Sequence, residues 1–262
     1  MSVAAARNGA FAAIRGDGSL ETKRLAPMDS PTDGDAATAF RSLRNVQRVQ
    51  ATESAFAAIL GDGSVVAWYA PGPEDTYADD RAAGNYTQLK EQLQDVHHVQ
   101  ASLRAFAAIK GDGSVVTWGH PTFGGDSRKV EKQLTDVCQI QATASAFAAI
   151  RKDGSVVTWG NPEDGGDSRK VKRRLVEVQQ IQATFQAFAA IRKNGTVVSW
   201  GDLCDDSKVR SQLTHVRQIQ ASSEAFAALK EDGSVVTWGG EGEARICKAV
   251  KEQLKDLGSA LL

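Results

Sequence analysis

The chain has 262 residues and a formal net charge of −1, with 42% hydrophobic and 24% charged residues. That is a globular balance without the basic excess that marks a nucleic-acid binder, so no nucleic-acid partner is expected. No apolar run approaches the roughly 20 residues a membrane-spanning helix needs, and three cysteines without a C-x-x-C pair make no disulfide framework, which favours a reducing, intracellular compartment.

At the N-terminus, "MSVAAARNGAF" has no basic start and no long apolar stretch before Arg7, so no secretory leader is expected. The first element is "AFAAIRGDGSL" (10–20), two apolar runs around Asp17-Gly18. Such a dipeptide tolerates the positive φ angles of a two-residue hairpin turn. Lys23-Arg24 ends the second run, and "LAPMDSPTDGDAATAF" (25–40), with its Pro, Asp and Gly, reads as a loop. "VQRVQAT" (46–52) is a short strand, followed by a hairpin around Asp62-Gly63 that ends at Trp68. An acidic loop, "YAPGPEDTYADDRAAGNY" (69–86), comes next.

From residue 96 the pattern is regular. "VHHVQAS" (96–102) precedes "AFAAIKGDGSVVTWG" (105–119), and "VCQIQAT" (137–143) precedes "AFAAIRKDGSVVTWG" (146–160). "VQQIQAT" (178–184) precedes "AFAAIRKNGTVVSWG" (187–201), and "VRQIQAS" (216–222) precedes "AFAALKEDGSVVTWG" (225–239). Between hairpin and next strand, "GGDSRKVEKQLTDV" (124–137) places Val130, Leu134 and Val137 at i, i+4, i+7, which predicts a short helix capped by Asp126 or Ser127. The C-terminal "KAVKEQLKDLGSALL" (248–262) repeats this helix and then a first strand.

Nearly every residue of "AFAAI" and "SVVTW" is apolar, so these strands are covered on both faces. Six such units need a neighbour on each side, which a ring of radial sheets supplies. The expected fold is all-β: a six-bladed β-propeller in one domain, 1–262, with about three antiparallel strands per blade and short outer helices between blades. The units run about 1–45, 46–95, 96–136, 137–177, 178–215 and 216–256. Residues 257–262 are expected to complete the first blade, closing the ring with the N-terminal hairpin. Phe147, Asp153, Gly154, Trp159 and Gly160 typify the recurring, structural positions.

The "DGSVVTWG" hairpin after an "I-x-A" strand resembles the repeats of the regulator of chromosome condensation family. The period near 41 residues, with three strands per unit, is similar to the compact β-lactamase inhibitor protein II. The resemblance implies a propeller scaffold. Relatives include chromatin-bound guanine-nucleotide exchange factors, plant UV-B photoreceptors, enzyme inhibitors and ubiquitin-ligase domains, so it implies no single activity. The family's "G-x-x-H" segment is absent, the place reading "ATASAF" or "ASSEAF". All five tryptophans sit at the hairpin position, which sets light sensing aside.

No G-x-S-x-G, H-E-x-x-H or phosphate-loop pattern occurs, so neither an enzyme nor a cofactor or small-molecule site is expected. His97, His98 and Cys138 occupy equivalent places in neighbouring units and have zinc-ligand chemistry. The same place reads Gln47, Gln179 and Arg217 elsewhere, so no metal site is expected. "GGDS" at 124–127 and 165–168 reads as a turn with an N-cap. Gln50, Gln100, Gln141, Gln182 and Gln220 share one phase of the first strand and read as amides bonding one another around the axis. Basic residues beside the turns, from Arg15 to Lys230, read as a solvated rim because acids accompany them and no aromatics interleave.

What differs between repeats is free for recognition. The connections after "QAT" and after "WG" share one face of the ring. On it the residues expected to bind a partner are Tyr69, Leu103, Arg104, Phe123, Phe185 and Glu224. The functional expectation is a non-catalytic protein-interaction module. A permanently bound accessory subunit, and an exchange factor or chromatin regulator implied by the resemblance alone, are the alternatives.

Overall fold

The computed structural model describes residues 2–5, 10–24, 43–69 and 86–240. They form six three-stranded antiparallel sheets, each with the middle strand of its sequence triplet in the centre. The first three are β1 (Ser2–Ala5), β2 (Ala10–Ile14), β3 (Leu20–Arg24); β4 (Val46–Ala51), β5 (Ala55–Leu60), β6 (Val65–Tyr69); and β7 (Val96–Ala101), β8 (Ala105–Lys110), β9 (Val115–Gly119). The others are β10 (Val137–Ala142), β11 (Ala146–Arg151), β12 (Val156–Gly160); β13 (Val178–Ala183), β14 (Ala187–Arg192), β15 (Val197–Gly201); and β16 (Val216–Ala221), β17 (Phe226–Lys230), β18 (Val235–Trp238).

The middle strands explain the unbroken apolar runs. In β11, Ala146, Ala148 and Ile150 share a core with Phe188 and Trp200 of the fifth blade. Phe147 and Ala149, pointing the other way, share a core with Ala105, Ala107 and Ile109 of the third. Strand alternation is therefore intact, but both faces are buried. The alanines on one face leave room for the aromatic pair of the next blade. Within each of blades two to six the pair is stacked, as in Phe147–Trp159 and Phe188–Trp200, both with ring centroids 5.2 Å apart. Five such cores join successive blades from the first to the sixth.

The Asp-Gly turn acts twice. Asp153 Oδ1 accepts from the Ser155 amide at 2.9 Å and its hydroxyl at 2.6 Å, which closes the turn. These donors, the hydroxyl first, hold the Asp153 carboxyl below its usual range. Gly154 then accepts from Val178 N of the next blade at 2.9 Å. The same latch recurs as Val46 to Gly18, Val96 to Gly63, Val137 to Gly113 and Val216 to Gly195.

Two expectations need correction. The place beside β2 is filled by β1, whose Ala5 pairs with Phe11 as Ala142 pairs with Phe147. The first blade thus draws its first strand from Ser2–Ala5, not from residues 257–262, because β3 already occupies the other edge of β2. Residues 248–262, with the helix and strand expected there, lie outside the described residues. So do the expected loops at 25–40 and, apart from Tyr69 and Tyr86, at 69–86.

Short outer helices do occur between blades: Tyr86–Leu89 is a four-residue α-helix, but the helices expected after blades three, four and five shrink to three-residue 3₁₀ turns at Glu131–Gln133, Lys172–Arg174 and Arg210–Gln212. The helical spacing of Val130, Leu134 and Val137 is met by a turn running into a strand. Leu134 ends the 3₁₀ turn at φ −83°, ψ 58°, and Val137 already begins β10. Both are buried in the core between blades three and four.

Candidate interaction face

The first-to-second strand turns are nearly identical in five blades. The hydroxyl of Thr52, Ser102, Thr143, Thr184 or Ser222 accepts from the alanine amide three residues on, at 2.9–3.1 Å. The residue after each hydroxyl links the blades. Glu53 N donates to Leu103 O at 2.7 Å, Leu103 N to Ala144 O, Ala144 N to Phe185 O and Phe185 N to Ser223 O, each at 2.8 Å. This is a main-chain ladder running from blade to blade. It consumes backbone groups only, so any side chain fits, and five different ones occur: Glu, Leu, Ala, Phe and Ser.

The six expected interface residues fall on this face. Leu103, Arg104, Phe185 and Glu224 lie in the turns of the ladder, Tyr69 ends β6, and Phe123 closes the 3₁₀ turn Pro121–Phe123 after β9. Phe185 and Glu224 are exposed, whereas Leu103, Arg104, Tyr69 and Phe123 are half-buried. Tyr69 packs against the core of blades two and three and Phe123 against that of blades three and four, so both also serve the scaffold.

Arg104 and Phe123 are brought together. The Arg104 guanidinium lies 5.5 Å from the Phe123 ring centroid and donates through Nε to Glu53 at 3.0 Å across the blade boundary. The His120 and Phe123 rings stand perpendicular, with centroids 5.2 Å apart. A cation over an aromatic face is attracted by the ring quadrupole, which fixes both side chains at the surface.

The bulge explains His97 and Cys138. The first strands of blades two to six each carry one extra residue, as between Val137 and Gln139 in β10 and between Val96 and His98 in β7, whereas β1 has none. The extra residue points to solvent, so Gln47, His97, Cys138, Gln179 and Arg217 are all exposed and need only be tolerated there. His98 is held below its usual pKa, first by burial and then by the Arg48 charge. Among the described residues no three His, Cys, Asp or Glu side chains converge as a metal site. Nor does any axial glutamine amide bond to another there; Gln100 Nε2 donates to Ala101 O at 3.2 Å. Among the described residues the expected amide circle is thus not formed, and the Gln100 amide goes to the main chain instead.

Sequence reading missed the polar contents of the post-tryptophan loops. Asp164 is 9% exposed; its carboxylate accepts from Ser145 Oγ and from Asn161 Nδ2, and its carbonyl accepts from Thr143 Oγ1 at 3.0 Å. These bonds tie the loop of blade four to its own strand turn. The signal was faint: only this unit reads Asn-Pro-Glu-Asp after Trp-Gly. At the loop's end Asp167 is held down to about 2, chiefly by the Arg169 guanidinium 2.6 Å away, and Asp126 likewise by Arg128.

No protein-family model and no curated protein matches the chain. Solved structures do. Human WBSCR16 aligns with TM-score 0.55 and 15% identity, covering 91% of this chain and 76% of that one. The CRINKLY WD40 ectodomain of the Arabidopsis thaliana receptor kinase ACR4 aligns at 0.51 and 14%, covering 91% and 84%. Prp20p of Saccharomyces cerevisiae, the yeast RCC1, aligns at 0.50 and 14%, covering 91% and 71%. At such identities the likeness is one of fold: the chain has a β-propeller fold similar to that of these proteins.

Proposed function

We propose that the chain is a non-catalytic protein-interaction module, a closed propeller ring that binds a partner through the face bearing the Trp-Gly loops. The observation that carries this reading is the main-chain ladder, which links five strand turns in succession while leaving their side chains free to differ. Exposed Phe185 and the braced Arg104–Phe123 pair have the aromatic and guanidinium character of interface anchors. The structure of Prp20p was described with its binding to Gsp1p and histones, which is in keeping with a propeller serving as a binding surface. The short three-stranded unit also supports the likeness to β-lactamase inhibitor protein II.

The test begins by capturing a partner on the immobilised chain and measuring its affinity by calorimetry. Joint substitution Arg104→Ala, Phe185→Ala and Glu224→Ala is expected to weaken it at least tenfold, with an unchanged melting temperature. Phe123 is spared because it packs on the core. Unchanged affinity in the folded triple variant would sink the assignment of this face.

A further inference from the structure

The post-tryptophan loop of blade five is three residues shorter than those of blades three and four, as Gly201–Asp205 corresponds to Gly119–Asp126 and Gly160–Asp167. The deletion removes the glycine whose carbonyl receives the next blade's indole. Trp159 donates to Gly124 O and Trp200 to Gly165 O, but Trp238 turns to Ser199 Oγ, at 3.0 Å. Ser199 stands where Thr117 and Thr158 bond Ser127 and Ser168, each at 3.0 Å. With that partner lost, the serine position is occupied by Asp206.

The shortened loop leaves a groove of about 1040 Å³ between the loops of blades four and five, on the Trp-Gly side. Its charge is one-sided. Five carboxylates line it, those of Glu163, Asp167, Asp202, Asp205 and Asp206, against the cations of Lys170 and Arg210. Asp206 is 3% exposed; Arg210 Nε donates to its Oδ1 at 2.9 Å, while Oδ2 has no hydrogen-bond partner among the described residues. A buried carboxylate oxygen without a donor is costly, and a cationic donor in the groove relieves that cost. Glu163 and Asp202 are exposed and make no ion pair among the described residues. Leu203, 48% exposed, offers an apolar contact at the rim. The local field also reaches Cys204, whose thiol is pushed up to about 12, by burial first and then by Asp206, Asp202 and Asp205.

We infer that this groove receives a basic segment of a protein partner, an arginine- or lysine-bearing stretch with an apolar residue for Leu203. The inference rests on the Trp-Gly face being the interaction face and adds the chemistry of the occupant. A metal ion fits less well, since the carboxylates do not converge as a metal-ligand group.

Fluorescence anisotropy with a labelled eight-residue peptide of alternating arginine and serine around one leucine tests it on the full chain. Saturable one-site binding is expected, weakened at least tenfold by Glu163→Gln with Asp202→Asn and unaffected by the Arg104→Ala, Phe185→Ala, Glu224→Ala variant. A glutamate-for-arginine peptide should not bind. Both substituted acids are exposed, so folding is not at stake. No saturable binding, equal binding by the double variant, or equal binding of the acidic peptide would each overturn the groove assignment. If the captured partner still loses affinity in the triple variant, that failure is the groove's alone and the face stands.

Discussion

Replacing Trp159 with alanine is expected to lower the unfolding free energy by about 3–5 kcal/mol, the range for truncating a large buried aromatic. Trp159 is 4% exposed, stacks on Phe147 and fills the core between blades three and four. Its indole N–H also reaches across the boundary to Gly124 O at 2.9 Å, so the substitution leaves that carbonyl without its donor. Because the core that Trp159 fills joins blades three and four, the damage is to those two blades and the boundary between them. Urea unfolding followed by circular dichroism would measure it, and Trp159→Phe, which keeps a ring, should cost clearly less. A loss under about 1 kcal/mol for the alanine variant would mean the stacked pair is not what joins the blades.

Gly160→Ala should be nearly as damaging, although it adds a single methyl group. Gly160 has φ 101°, outside the small left-handed basin that other residues enter. A Cβ there would lie 2.5 Å from Ser145 O and 2.7 Å from Ala146 Cα, main-chain atoms of the turn before β11 and of its first residue. Backbone strain of about 1–3 kcal/mol and overpacking of similar size give an expected loss of about 2–5 kcal/mol. Gly119 and Gly201 stand in the same constraint, with φ 104° and 106°. Gly16→Ala is the control: a Cβ there meets nothing within 4 Å, and its effect should stay within about 0.5 kcal/mol. Equal melting temperatures for the Gly160 and Gly16 variants would contradict the packing described.

Much of the scaffold is legible from residues alone. Asp-Gly, or Asn-Gly in the fifth unit, between β-rich runs specifies a hairpin locally, and six copies specify six blades. Features that depend on two distant segments are not legible. "SVAA" lacks the glutamine of "QIQA", so β1 hides among small residues although it pairs in register. The 3₁₀ turns mimic a helix because i, i+4, i+7 spacing does not distinguish a helix from a turn leading into a strand. Tyr69 and Phe123 read as surface anchors, yet the neighbouring blade covers half of each. The Glu53–Arg104–Phe123 contact joins residues 70 positions apart at its extremes, and the groove of blade five arises from a deletion whose effect appears only when adjacent loops are superposed in space.

The division of labour between recurring and differing residues is tested most directly by hydrogen–deuterium exchange of the chain with and without its captured partner. Added protection is predicted in the turns at 52–55, 102–105, 143–146, 184–187 and 222–225 and in the loops at 161–166 and 202–205. The Asp-Gly turns at 60–63, 110–113, 151–154 and 192–195, on the opposite face, should exchange as in the free chain. Protection concentrated on the Asp-Gly turns, with the Trp-Gly face unchanged, would contradict the account.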